Sequence, residues 1–106
     1  MKGRALTFVP VVIEFPEHEA RSESWGRFLD LSPTGARLMT RTPLRSGDTV
    51  HLSFELPGGG CFKQVRAGVV CSARDEDGYR VCRVRFSAAG ERVRLGRALR
   101  ALLRLI

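Results

Sequence analysis

Lysine is almost missing from this sequence. Of 18 basic residues only Lys2 and Lys63 are lysine, and the rest are arginine. A GC-rich genome produces such usage by itself, so the scarcity alone assigns no role. It does mean that nearly every cation here can grip a phosphate or a guanine edge bidentately and stack on a ring, which lysine does poorly. Long apolar runs are missing as well. No stretch approaches the roughly 20 residues that cross a bilayer as a helix, and no transmembrane segment is expected. Met1-Lys2-Gly3-Arg4 carries charge but has no apolar stretch and small-residue cleavage site behind it, so no signal peptide is expected and the default location is the cytoplasm.

Cysteine is sparse and odd in number: Cys61, Cys71 and Cys82. No two have metal-ligand spacing, and neither His18 nor His51 completes a cluster, so no metal site is expected. Reduced thiols in the core are the expectation. Aromatic residues make up 8%. They offer no interleaved platform on which single-stranded nucleic acid would stack, so specific nucleic-acid binding ranks low. The signatures of common enzymes are absent too. There is no glycine-rich phosphate loop ending in Lys-Ser/Thr, no nucleophile elbow and no His-Glu-x-x-His. Pro57-Gly58-Gly59-Gly60 is glycine-rich, but without a following helix to aim N–H groups at a phosphate it reads as a hairpin loop. His18 reads as a solvated loop residue and His51 as a residue on the outer face of its strand. No catalytic residue is expected.

What remains suits one folded domain. The chain has 106 residues, 43% hydrophobic and 27% charged, enough to bury a core without metal or disulfide staples. A formal net charge of +7 favours anionic partners without choosing among phosphates, acidic proteins, nucleic acid and anionic lipid.

Alternation of apolar and polar residues marks a series of strands. Residues 9–15 place Val9, Val11, Ile13 and Phe15 on one face, with Pro10 arguing for an edge or unpaired start. Residues 25–31 read as a strand with Trp25, Arg27, Leu29 and Leu31 on one side, and 36–40 as its short continuation after a turn. Residues 49–56 give the cleanest pattern, Val50, Leu52, Phe54 and Leu56 inward. Residues 65–73 put Val65, Ala67, Val69, Cys71 and Ala73 together. Asp75-Glu76-Asp77-Gly78 signals a hairpin, and 79–86 returns with Cys82, Val84 and Phe86 inward. A four-residue turn there would set Cys71 opposite Cys82. The period then becomes helical. Residues 90–106 carry Val93, Leu95, Ala98, Leu99, Leu102, Leu103 and Ile106 as an apolar stripe among Arg92, Arg94, Arg97, Arg100 and Arg104. The expected fold is mainly β: about six antiparallel strands closing a small barrel, with a C-terminal α-helix on its open end or side.

One turn has chemical potential. Asp30 ends a strand with a carboxylate able to accept two hydrogen bonds from a planar N–H pair, such as the N1–H and N2–H₂ edge of guanine. Ser32 adds a hydroxyl two residues on, and Gly35 allows the backbone to come close to a ligand. Spacing alone favours the plainer alternative, a β-turn whose Asp or Ser caps its own backbone.

The run Leu29-Asp30-Leu31-Ser32-Pro33-Thr34-Gly35-Ala36-Arg37-Leu38 resembles the Asp/Asn-x-Ser-x-x-Gly signature of PilZ domains. The order of Val9-Pro10, Gly47-Asp48, Leu56-Pro57, Val69-Val70, Arg85-Phe86 and the terminal helix is similar to that family along nearly the whole chain. The resemblance implies a six-stranded PilZ barrel, read as a single domain with an arm at 1–8, the barrel at 9–86 and the helix at 90–106. It implies no cofactor, and as ligand the bacterial second messenger cyclic di-GMP. Asp30 and Ser32 would meet a guanine edge and Gly35 would allow close approach; Arg37, outside the motif itself, either adds charge beside the turn or is a solvent-facing strand residue. The family's other half-site is an Arg-x-x-x-Arg segment before the first strand. Aligning on Val9-Pro10 puts Arg4 at its first arginine but Phe8 at its second. Phe8 would stack on a guanine or cover the barrel mouth. Two readings follow: a cyclic di-GMP receptor acting through a protein partner of motility, pilus or biofilm machinery, or a degenerate adaptor that binds protein alone. A basic nucleic-acid or membrane-surface binder is a distant third.

Overall fold

The computed structural model describes residues 9–17, 20–58, 60–75 and 77–105, with side chains up to 101. Six strands, β1 (Pro10–Glu14), β2 (Ser24–Leu31), β3 (Gly35–Thr40), β4 (Thr49–Glu55), β5 (Cys61–Arg74) and β6 (Arg80–Phe86), are followed by one helix, α1 (Ala89–Leu105). The strands close a barrel in the order β1-β2-β3-β6-β5-β4, and every pairing is antiparallel. Closure removes the free sheet edge that would otherwise recruit other chains.

In β1 the alternation holds: Val9, Val11, Ile13 and Phe15 are buried. Val11, Val12 and Ile13 are paired on both sides, Glu14 pairs only with β4, and Pro10 has no partner on β4. Its missing N–H therefore costs no bond to that neighbour. In β4, Val50, Leu52 and Phe54 point inward, with Leu56 buried just beyond. The centre of the core is aromatic. Phe28 meets Phe54 edge-on at 4.8 Å between centroids, and Phe54 stacks on Phe62 at 5.1 Å. Each such ring taken out of water contributes about 1.5–3 kcal/mol.

Bulges correct the sequence pattern in two strands. In β2 the register passes from Phe28↔Leu38 to Asp30↔Arg37, leaving Leu29 as the extra residue. A bulge reverses which parity faces inward. Phe28 and Leu31 are thus both buried, while Trp25, expected beside Leu29 and Leu31, is 62% exposed. In β5 the register passes from Val69↔Val84 to Cys71↔Arg83, and Val70 is the extra residue. Val65, Ala67 and Val69 face the core as expected, but Cys71 and Ala73 turn out to solvent.

The expected pair of core thiols is therefore absent. Cys61 and Cys71 are exposed, and only Cys82 is buried. Its partner across the ladder is Ser72, and its thiol lies 3.4 Å from the Ser72 hydroxyl. Burial pushes the Cys82 thiol above its ordinary range, with the Ser72 hydrogen bond and the Arg80 charge opposing. β5 also starts earlier than the 65–73 pattern, and it accommodates Gln64 at a φ of 52° beside the shift opposite Ser53.

The helix joins the core through Leu95, with Ala98 and Leu99 packed against it. Val93, expected in the apolar stripe, is 59% exposed. The Leu102, Leu103 and Ile106 side chains lie outside the described residues. Two of the helix arginines fasten it to the barrel. Arg92 donates to the Phe86 carbonyl from Nε and Nη2, at 3.0 and 2.6 Å. Arg94 lies 4.3 Å over the Phe62 ring and donates to the Cys61 carbonyl. Among the described residues, no helix is long and apolar enough to cross a membrane.

Candidate functional site

The turn between β2 and β3 is built by Ser32. Its N–H donates to the Gly35 carbonyl at 2.8 Å. Its Oγ accepts from the N–H groups of Thr34 and Gly35, each at 3.3 Å, and lies 3.1 Å from the Gly35 carbonyl oxygen. The capped turn expected from spacing is thus present, and Ser32 rather than Asp30 makes the cap. The Thr34 carbonyl accepts from Phe86 N at 2.9 Å, tying the turn to β6. On its other side Pro33 lies against α1: a Cβ on Gly96 would stand 3.6 Å from Pro33 Cγ. Sheet and helix together hold the turn in one shape.

Gly35 is required by the barrel itself. A Cβ there would stand 2.3 Å from the Val84 carbonyl oxygen, a separation no real side chain occupies. The missing side chain at this position lets β3 lie close against the backbone of the neighbouring strand.

Asp30 is half-exposed at the mouth of the turn. Its Oδ2 accepts from Arg37 Nε at 2.6 Å, and its Oδ1 accepts from Arg37 N at 3.2 Å. A carboxylate has about four acceptor positions, so this pairing leaves room for a further planar donor. Ser32, Thr34 and Arg37 join Asp30 in lining an open cleft of about 400 Å³ on the outer face of the barrel. Its far wall is Val70, Arg83 and Arg85. Asp30, Ser32, Gly35 and Arg37, named from sequence, are thus brought together. Arg4 and Phe8 lie outside the described residues.

Sequence reasoning missed Arg83, Arg85 and Val70. The outward position of both arginines follows from the inward Cys82, Val84 and Phe86. Their place beside the motif turn depends on the β3–β6 pairing, Arg37↔Arg83 and Gly35↔Arg85, which joins strands far apart in sequence.

Other charged residues have structural work. Arg21 covers the Phe15 ring at 3.8 Å, pairs with Asp48 at 3.5 Å and donates to the Pro43 carbonyl, closing the loop before β4. A second cleft of about 410 Å³ includes Trp25, Met39, Asp77 and Tyr79. His51 lines a third, beside Glu14 and Arg21. His18 lies outside the described residues. Among the described residues, no three His, Cys, Asp or Glu side chains converge as a metal site.

A closed antiparallel barrel whose β2–β3 turn carries Asp-x-Ser-x-x-Gly, with a C-terminal helix packed on that turn, defines a class. The model of the PilZ domain family matches residues 3–105, and this chain belongs to that family. Among solved structures it is similar to the Bacillus subtilis inhibitor of motility MotI/DgrA, with a TM-score of 0.67 and 21% identity over 91% of this chain. That likeness concerns the fold, and the aligned region is 47% of the other chain. No curated protein matches the sequence.

Proposed function

We propose that this PilZ domain is a non-enzymatic signalling module that binds cyclic di-GMP on the outer face of its barrel and relays the signal to a protein partner. The observation that carries this reading is the cleft beside the β2–β3 turn. It sets the Asp30 carboxylate and the Ser32 hydroxyl next to arginines on β3 and β6. A guanine edge presents donors that a carboxylate accepts, and the phosphodiester linkages call for guanidinium groups. Asp30 and Ser32 meet the guanine edge, Gly35 keeps the turn tight, and Arg37 stands where it can shift from Asp30 to the ligand. Arg4 clasps from the arm at 1–8, with Phe8 against a guanine face, and the whole chain acts as one unit of arm, barrel and helix. Engagement of the arm with the ligand changes the surface offered to the partner. The location is the cytoplasm, where this messenger acts.

A second reading is favoured by two observations. The arm has a single arginine with Phe8 at the next motif position, and Asp30 is already neutralised by Arg37. On this reading the domain is an adaptor that binds protein without nucleotide. Motility is a fitting setting for either, since a similar fold belongs to an inhibitor of motility; pilus and biofilm machinery are the other candidates.

Ligand-induced stabilisation separates the two. A ligand at about 100 times its dissociation constant adds about 2.7 kcal/mol of stability. Cyclic di-GMP is expected to raise the unfolding temperature of the wild type and not of Asp30→Ala. An unfolding temperature unmoved in both supports the adaptor.

A further inference from the structure

Two arginines of β6 stand in the cleft without a counter-charge. Arg83 and Arg85 project from the outer face of the strand, while Cys82, Val84 and Phe86 between and beside them fill the core. Arg83 is the cross-strand partner of Arg37, and Arg85 that of Gly35. Like charges placed directly opposite one another destabilise a sheet. The acid beside them, Asp30, is held by Arg37. Among the described residues the side chains of Arg83 and Arg85 make no hydrogen bond and no ion pair. Gly35 contributes no side chain, so nothing on β3 covers Arg85. The floor beside them is Val70, the extra residue of the β5 bulge, 48% exposed.

The geometry points to a phosphate grip on the barrel itself: Arg83 and Arg85 bind the phosphodiester of a nucleotide whose guanine edge meets Asp30 and Ser32. β2, β3 and β6 are successive strands, so Asp30 and Arg83 lie about 10 Å apart across the sheet, within reach of two long side chains and one nucleotide. The grip supplies from β6 the cation that the arm lacks at Phe8. An anion bound between Arg83 and Arg85 relieves the repulsion among Arg37, Arg83 and Arg85, and a guanidinium group meets a phosphate with charge-assisted, bidentate hydrogen bonds. The ligand's identity rests on the cyclic di-GMP reading above; the phosphate site rests on the charge arrangement alone.

The test uses the full chain, Arg83→Ala/Arg85→Ala, and a charge-matched control, Lys63→Ala/Arg74→Ala, whose exposed side chains lie outside the cleft. Each is checked for folding by circular dichroism and titrated with cyclic di-GMP. Inorganic pyrophosphate is titrated in parallel while the arginine Nε–H signals are followed by NMR. The cleft variant is expected to bind cyclic di-GMP about 100-fold more weakly, two charge-assisted contacts at about tenfold each, with the control within about threefold of wild type. Pyrophosphate is expected to shift the Arg83 and Arg85 signals. Cleft-variant affinity equal to wild type, or equal losses in both variants, overturns the grip and leaves the receptor reading standing. Shifts with pyrophosphate but no cyclic di-GMP binding by wild type uphold the phosphate site and end the receptor reading. Neither response overturns both.

Discussion

Arg37 holds Asp30 at both carboxylate oxygens, with its side-chain Nε on Oδ2 and its backbone N–H on Oδ1. The pair joins β2 to β3 one residue past the bulge at Leu29, so the bulge is what aims the Asp30 side chain outward beside Arg37 rather than into the core.

Because both partners are about half exposed, removing the pair costs little stability. Asp30→Ala is expected to change the unfolding free energy by about 1 kcal/mol or less, while lowering cyclic di-GMP affinity more than about tenfold. Urea denaturation and a binding titration on the same preparation separate the two effects.

Gly35→Ala is expected to behave in the opposite way. The new methyl group collides with the Val84 carbonyl, so β3 and β6 must part locally. A loss of about 1–3 kcal/mol in urea denaturation is expected, with weakened amide protection at Ala36 and Arg85. An unchanged denaturation midpoint would show that the strands separate freely here.

Cys82 gives a pH dependence. Burial raises its thiol pKa in the folded state, so the folded protein keeps this proton where the unfolded chain has lost it. The associated stability is full below the unfolded thiol's range, near about 8.5, and is lost as pH rises from there toward the folded value. Urea denaturation between pH 7 and 10 is expected to show a decline that is shallower in Cys82→Ala. In the native state a thiol reagent is expected to modify Cys61 and Cys71 rapidly and Cys82 slowly.

Phe8→Arg restores the second arginine of the family's arm motif. Cyclic di-GMP binding is expected to tighten by about tenfold or more, measured against wild type in the same salt. Unchanged affinity would mean that a cation at position 8 does not reach the ligand.

Much of the fold was legible in the sequence because strict alternation survives wherever a strand is regular. Residues 9–15, 49–56 and 79–86 put their apolar sets inside as read. Alternation fails at a bulge, since one extra residue reverses every later side chain. Strict alternation therefore leaves Phe28 out of the core and puts Cys71 and Ala73 inside it, the reverse of their positions in the barrel. Leu29 and Val70 bear no local mark of their bulges. The turn at 30–35 was legible from Asp, Ser and Gly at their spacing, but its surroundings were not. Arg83 and Arg85 come beside it through β3–β6 pairing, a contact between residues nearly 50 apart that periodicity does not encode. Helical periodicity marks Arg92 and Arg94 as polar positions beside the apolar stripe, but does not show that they turn back onto the carbonyls of Phe86 and Cys61.

The central claim is that the cleft beside Asp30 and Ser32 takes cyclic di-GMP. Calorimetric titration of the folded wild-type chain tests it most directly. Saturable heat below about 100 µM ligand, lost in Asp30→Ala while that variant keeps its far-UV spectrum, is the expected result. A flat titration at that concentration with folded wild-type protein would contradict it.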